Sequence, residues 1–236
     1  MSALSSTDPP TTDTTPTNTT PLPDLSTLMI ISSPLNLLID VHYPFPLAPR
    51  PRKERVNALS KQIYNFLLSH SQWSSTCTLQ IWGTEENVKL IETRLNKLID
   101  NEPTLKTTEN LLTYNVGDII FPEHTPNESS PTSKIYLSPD SPNPLTSLPS
   151  SLIIGGLIDR TITPNRSLTR SSSHPHAHLP LNKLNLEGLE SDEPLNVDTC
   201  LEMCALWKEY DDFEKGGREA MERHEVRHPN RRIHKT

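Results

Sequence analysis

The sequence is poor in aromatic residues, cysteine and long apolar runs. Of its 236 residues only 5% are aromatic and 33% are hydrophobic, whereas prolines number 23. Such a chain cannot bury its whole length, so we expect one substantial core with long loops and tails. Cys77, Cys200 and Cys204 are too few for a disulfide framework. Because no apolar run reaches the length of a signal sequence or a membrane span, we expect a reduced, soluble, intracellular protein.

The N-terminal residues 1–34 contain no Lys or Arg and are rich in Thr and Pro. Asp8, Asp13 and Asp24 give this segment the wrong charge for a mitochondrial transit peptide. We therefore predict a disordered tail. The net charge of −7 also argues against a general nucleic-acid binder, whose affinity would come from neutralised phosphates.

In the next part of the chain, apolar runs typical of strands alternate with segments whose apolar residues recur at helical spacing. Residues 35–41 predict a buried strand, and the Pro-rich residues 44–51 predict a loop after it. Residues 54–70 place apolar side chains at helical spacing. A second strand is predicted at 78–82, followed by a helix that Thr84 caps. This order favours an α/β domain with a parallel sheet.

Two later apolar runs, at 134–138 and 152–159, are the clearest strands of the second half. Both end in polar or glycine residues, at the edge where ligands bind in open parallel sheets. The Ser- and His-rich segment 163–178 is expected to be a loop. No internal repeat is visible, and nothing resembles the Gly-rich first turn of a Rossmann methyltransferase.

A final helix is expected to be capped by Asp198, to run through Trp207 and to stop at Gly216 and Gly217. Beyond it, residues 218–236 carry six Lys or Arg against three Glu. This basic extension is the best candidate for phosphate contact in the sequence, and a merely solvated segment is the alternative.

Several segments occur in a recognisable order along the chain. They are LIDV (38–41), ERVNALSKQI (54–63), YLSPDSPNPL (136–145), SLIIGGLIDR (151–160), HLPL (178–181) and PLNVDTCLEMCALWKEYDDFEKG (194–216). GGLID alone is a weak signal, because paired glycines are common where backbones approach closely. The ordered series resembles the tRNA guanine-nine N1-methyltransferase family of the SPOUT class, over residues 35–217.

The resemblance implies a SPOUT fold, a parallel sheet with a C-terminal trefoil knot, that binds S-adenosyl-L-methionine. The domain would span 35–217, between the tail 1–34 and the extension 218–236. In the resemblance, Gln62, Arg160 and Arg166 would contact tRNA. Paired glycines would clear space for the cofactor, and leucines would offer faces to its purine. The implied cofactor residues are Leu137, Ser138, Gly155, Gly156, Asp159, Leu181, Leu195, Asn196, Val197 and Thr199.

Asp159 is the candidate catalytic residue. Methylation of a purine N1 requires loss or stabilisation of a proton charge there, and a carboxylate beside the methyl donor could accept the proton or orient the base. The alternative is that Asp159 caps the following loop and pairs with Arg160 or Arg166.

Two histidine patterns could hold a metal, and neither is favoured. HEVRH at 224–228 has zinc-protease spacing, but Pro229 ends its helix and no third ligand is evident. His174, His176 and His178 alternate, although loop histidines without a metal are far commoner. Cys200 and Cys204 are expected to be buried thiols. We expect no metal.

The sequence therefore predicts S-adenosylmethionine-dependent methylation of a purine N1 in tRNA, with guanine at position nine favoured and adenine open. The alternative is a catalytically idle SPOUT-fold module that binds RNA or protein. We expect a monomer with tRNA as its partner, no membrane association, and a location in the nucleus, the cytoplasm or both.

Overall fold

The computed structural model describes residues 33–71, 77–105, 112–120, 134–157, 165–172, 174–187, 189 and 195–227. Most of the predicted tail, Asp159, Arg160 and the last part of the predicted extension (228–236) lie outside these residues. The HEVRH pattern is described only as far as Arg227.

Strands and helices alternate through most of the described chain. The strands are β1 (Leu35–Asp40), β2 (Cys77–Gly83), β3 (Leu112–Val116), β4 (Lys134–Leu137), β5 (Ser151–Gly155) and β6 (His176–Ala177). The helices are α1 (Pro49–His70), α2 (Glu85–Ile99), α3 (Arg166–Ser171), α4 (Val197–Tyr210) and α5 (Phe213–Arg227).

The six strands form one sheet in the order β3-β2-β1-β5-β4-β6. Every paired neighbour is parallel. The chain builds outward from β1 to β3 on one side and places the later strands on the other side. The order thus reverses between β1 and β5, and such a switch point is where open parallel sheets bind ligands. The predicted α/β fold with a parallel sheet is confirmed.

The two faces of the sheet are covered differently. Leu37 and Ile39 of β1 belong to the large core that includes side chains of α1, α2, α4 and α5. Leu38 points to the opposite face and joins a smaller cluster with Tyr136 and Ile153. Because side chains alternate along a strand, Asp40 shares this second face with Leu38.

α1 begins earlier than predicted. Residues 44–51 were expected to be a loop, but the helix starts at Pro49, with proline in its first turn. Proline is tolerated there because the first amides of a helix have no intrahelical acceptor. α2 begins as predicted, with Thr84 accepting a hydrogen bond from the Asn87 amide.

Both predicted ends of the last helix are wrong, and its N-cap residue is Asn196 rather than Asp198, which lies inside the first turn. α4 begins after Asn196 and ends at Tyr210, and a separate helix, α5, contains Gly216 and Gly217. A Cβ on Gly216 would lie 2.7 Å from the Leu206 carbonyl carbon, and one on Gly217 would lie 2.6 Å from Leu184 Cδ2. These glycines therefore allow close packing against neighbouring segments. The boundary predicted between 217 and 218 falls inside α5.

The segment expected to be a Ser- and His-rich loop contains regular structure. Arg166–Ser171 form α3, and His176–Ala177 pair with β4 as the edge strand β6. Within the ranges described, no helix combines the length and apolar character that a bilayer crossing requires.

Candidate active site at the carboxyl edge of the sheet

The centre of the carboxyl edge is formed by β1 and β5. Asp40 ends β1 and lies opposite Gly155, which ends β5. The Gly156 amide donates to the Asp40 carbonyl oxygen at 2.8 Å, so the two chain segments stay in contact beyond the strands. A carboxylate and two glycines therefore meet at the switch point of the sheet.

The Asp40 carboxylate is buried, with 1% of its side chain exposed, and both of its oxygens are bonded. Oδ1 accepts from the His42 backbone amide at 3.0 Å and from His42 Nδ1 at 2.6 Å. Oδ2 accepts from the Tyr136 hydroxyl at 3.0 Å and from Arg170 Nε at 3.1 Å. Four donors on one carboxylate make Asp40 an anchor that orients its neighbours.

Tyr43 and Tyr136 form a chain of hydroxyls that leads to Asp40. The two hydroxyl oxygens are 2.7 Å apart. Because Tyr136 gives its proton to the carboxylate, Tyr43 must donate to Tyr136. Burial raises the pKa of Tyr43 to about 12. Burial, followed by the charge of Asp40, also raises the pKa of Tyr136. Both phenols therefore stay protonated at neutral pH and act as donors.

His42 and Arg170 both connect Asp40 to Asp118, an exposed residue after β3. His42 Nε2 lies 3.4 Å from Asp118 Oδ1, and Arg170 Nη2 lies 3.6 Å from the same oxygen. We call Asp40, His42, Tyr43, Tyr136 and Arg170 the Asp40 cluster. It joins β1, β4 and α3, and Asp118 closes its outer side.

The space beside the paired glycines is filled by the chain itself. A Cβ on Gly155 would lie 3.1 Å from the Tyr43 hydroxyl and 3.4 Å from that of Tyr136. A Cβ on Gly156 would lie 3.0 Å from the Asp40 carbonyl oxygen. A Cβ on either glycine would therefore crowd the Asp40 cluster or β1, and the predicted clearance for a cofactor stays a prediction.

Other predicted cofactor residues come from the ends of neighbouring segments. Leu137 ends β4 and pairs with Ile154, which places it next to the Gly155 step. The Ser138 hydroxyl lies 2.8 Å from that of Ser167, and both residues are buried. Leu181 starts a 3-10 turn after β6 and is buried in the large core with Leu137. Leu195 packs against this core from the start of α4.

The first residues of α4 are held by α1 and α5. Gln62 Oε1 accepts from the Val197 amide at 2.7 Å. Gln62, predicted to contact tRNA, therefore holds part of the predicted cofactor segment. Asn196 precedes the helix as its N-cap residue. The buried Thr199 hydroxyl lies 2.7 Å from His224 Nδ1, so its side chain is turned toward α5.

Of the predicted polar site residues on the segment after β5, only Arg166 is described. Its guanidinium carbon lies 5.7 Å from the centre of the Tyr43 ring. α3 thus brings Arg166 and Arg170 to the same cluster. Asp159 and Arg160 lie outside the described residues, so their roles stay predictions.

The alternating histidines have local partners. His176 Nδ1 lies 2.9 Å from the Ser141 hydroxyl, and His178 Nδ1 lies 2.8 Å from the Ser141 carbonyl oxygen. They hold the β4–β5 connection against β6. In the portion of the chain that is described, no three metal-binding side chains converge. Cys204 is buried, as expected, whereas Cys200 is only half-buried, and burial raises the pKa of both thiols.

The sequence analysis missed Asp40, Tyr43, Tyr136 and Arg170 as members of one cluster. A signal was present for Asp40, because a carboxylate that closes a strand with four buried leucine and isoleucine side chains must find partners. The tyrosines and Arg170 carried none, since their meeting depends on strand order and on α3.

No family model and no curated protein sequence matches the chain. Solved structures do match, among them the following two. The structure of spTrm10(74) is 22% identical with a TM-score of 0.56, covering 80% of this chain and 94% of that one. The complex of full-length spTrm10 with SAH is 22% identical with a TM-score of 0.54, covering 80% of this chain and 97% of that one. The chain therefore has the fold of the Trm10 structures, as the order of its sequence segments predicts.

Proposed function

We propose that the protein transfers a methyl group from S-adenosyl-L-methionine to a purine N1 in tRNA, with guanine at position nine as the expected base. Trm10 proteins are tRNA methyltransferases of the SPOUT class. The observation that carries the proposal is the shared fold with spTrm10, one structure of which is a complex with SAH. A C-terminal trefoil knot and a monomeric state belong to the same proposal.

The residues at the ends of β4 and β6 and before α4 fit the adenosine of this cofactor in composition. Leu137 and Leu181, which are buried, and Leu195, which is half-buried, are apolar, and the backbone groups beyond the strands are polar. Bound there, the cofactor would supply the activated methyl group. Gly155 contributes indirectly, because it lets Tyr43 and Tyr136 lie against the end of β5.

The chain must also manage the N1 proton of the target base. Asp40 is unsuited to accept it, since both carboxylate oxygens already accept from four donors. We propose Asp159 for this role, either as a base or as a carboxylate that orients the purine. Asp40 instead positions Arg170 and the two tyrosines. Arg166, next to Tyr43, is proposed to contact the tRNA, as are Gln62 and Arg160.

Two measurements test the proposal. The first is calorimetry with SAH, where micromolar binding is expected and absence of binding favours the idle RNA- or protein-binding module. The second is methyl transfer to tRNA transcripts that differ only at position nine. Methyl transfer to the guanine transcript alone supports guanine as the base. Equal transfer to the adenine transcript means that the protein accepts either purine. Transfer to neither transcript contradicts the proposed activity.

Asp159→Asn separates chemistry from binding. We expect the single-turnover rate to fall roughly 10- to 1,000-fold, within or below the usual range for a lost general base. SAH affinity should stay near that of the unaltered protein. An unchanged rate would assign Asp159 a structural role.

A further inference from the structure

We propose that the groove between α1 and α2 binds the phosphate backbone of an RNA strand. The groove would be a contact surface for the tRNA substrate of the proposed function. The choice of RNA as the polyanion rests on that proposed function. The groove has a volume of about 570 Å³, and none of its lining residues belongs to the Asp40 cluster.

The groove is lined by cations from both helices. Lys53 comes from α1, and Lys89, Arg94 and Lys97 come from α2. The one carboxylate among the lining residues that are described is Glu86, and Arg52 Nη1 lies 2.7 Å from its Oε1. Glu86 is thus neutralised from outside the groove, so the four lining cations dominate its charge.

Within the described ranges, none of these four cations forms an ion pair with the chain. The Nε of Arg94 is buried and has no acceptor among those residues. A buried donor without an acceptor costs about 1–3 kcal/mol. A phosphate against the Nε edge of the guanidinium would supply the acceptor, because guanidinium groups bind phosphate oxygens in pairs.

The start of α1 also goes against local helix preferences. Its first turn contains no acidic residue, and Arg50, Arg52 and Lys53 lie near its N-terminus. Arg50 pairs with Glu54 and Arg52 with Glu86, whereas Lys53 lines the groove. The helix dipole disfavours cations there. Places where a sequence breaks a local stability rule are expected at functional or strained sites. Here Lys53, which has no ion pair within the described ranges, adds positive charge to the groove on a chain whose net charge is −7.

The shape of the groove suits an extended polyanion. Lys89 and Lys97 are separated by eight residues of one helix, or about 12 Å. Both helices begin just beyond the carboxyl ends of β1 and β2, so the N-terminal end of the groove lies at the sheet edge that carries Asp40. An RNA strand in the groove would therefore extend toward the candidate active site.

The experiment measures affinity of the full chain for an unmodified tRNA transcript over a salt series. The test variant is Lys89→Ala/Lys97→Ala, which removes two exposed cations of the groove. The control is Lys61→Ala/Lys208→Ala, which removes the same charge from outside the groove, at one exposed and one half-buried lysine. We expect the slope of log affinity against log salt to fall by about 1.4–1.8 in the test variant and to stay unchanged in the control.

Arg94→Lys tests the guanidinium itself. It keeps the charge and loses the two-pronged edge, so we expect about tenfold weaker binding with little change in the salt slope. Equal slopes for the test and control variants would overturn the proposal. The proposal would also be overturned if poly-glutamate bound more tightly than tRNA and this binding depended on Lys89 and Lys97. The groove would then be a site for an acidic protein.

SAH calorimetry on the same variants separates this proposal from the proposed function. If the protein binds SAH and methylates tRNA while the groove variant keeps its salt slope, only the groove assignment fails. If no variant binds SAH but the groove variant alone loses its slope, the groove binds RNA and the methyltransferase assignment fails.

Discussion

The two regions rich in cations, the α1–α2 groove and the end of α5, use their charges in opposite ways. Arg223 of α5 pairs with Glu219, and Arg227 pairs with Glu202, whose carboxylate is fully buried. The lysines that line the groove have no such partners within the described chain. Basic residues in a sequence therefore do not identify a binding surface, because some of them serve to neutralise carboxylates inside the protein.

The largest expected effect is loss of the buried pair on α5. Arg227→Ala would leave the Glu202 carboxylate, 0% exposed, without its cation. We expect the free energy of unfolding to fall by about 3 kcal/mol, measured by urea denaturation.

The control for that change is Arg223→Ala, on the same helix. Arg223 and Glu219 are each 31% exposed, so their pair should contribute about 0.5 kcal/mol or less. Equal destabilisation by the two variants would contradict the distinction between a buried and a surface pair.

The second prediction concerns the anionic centre of the Asp40 cluster. Asp40→Ala removes the acceptor of Tyr136 and Arg170, and we expect a loss of about 2 kcal/mol in the free energy of unfolding. Asp118 contacts the same Arg170 and His42, but its side chain is 86% exposed. Asp118→Ala should therefore lower the free energy of unfolding by about 0.5 kcal/mol or less. A larger loss of stability in Asp118→Ala than in Asp40→Ala would mean that Asp118, and not Asp40, holds the cluster together.

The third prediction compares the starts of the two groove helices. α2 is capped by Thr84, whereas Ala48 at the start of α1 has extended geometry and no side-chain cap. Thr84→Ala should destabilise the protein by about 1 kcal/mol. Ala48→Ser should stabilise it by only about 0.5 kcal/mol, because Pro51 at the third helical position has no amide and only the Arg50 amide can donate to the new hydroxyl. Thermal unfolding of the two variants measures both changes in stability. A neutral Ala48→Ser would mean that the α1 amides are already satisfied.

The smallest effect is expected at the groove lysines. Lys89→Ala/Lys97→Ala should change the free energy of unfolding by less than about 0.5 kcal/mol, because neither residue is paired within the described chain. Urea denaturation next to Arg227→Ala makes the comparison direct. A loss as large as that of Arg227→Ala would show that the lysines support the fold.

Patterns of neighbouring residues predicted the strands and helices whose formation depends on short-range interactions. β1, β2, β4 and β5 follow from apolar runs, and α2 follows from a cap written in consecutive residues, Thr84 with Glu85 and Glu86. The end of α4 could not be predicted in this way. Gly216 and Gly217 read as a helix stop locally, and their actual role depends on the closeness of Leu206 and Leu184.

The candidate site shows the same division. The strand-end residues were predictable because their positions follow from strand boundaries and from the resemblance. The Asp40 cluster was not, because Tyr43 and Tyr136 are 93 residues apart and meet through sheet order alone. The groove was also missed, since its cations lie on two helices whose proximity the sequence does not encode locally.

The hydrogen bond between Gln62 and Val197 has a kinetic consequence. It joins residues 135 positions apart, so the first amide of α4 finds its acceptor only after both ends of the domain have come together. Contacts of such long sequence separation require a large loss of chain entropy, and they slow folding. We therefore expect the segment around 195–199 to acquire its native geometry late, after β1, α1 and β2 have assembled.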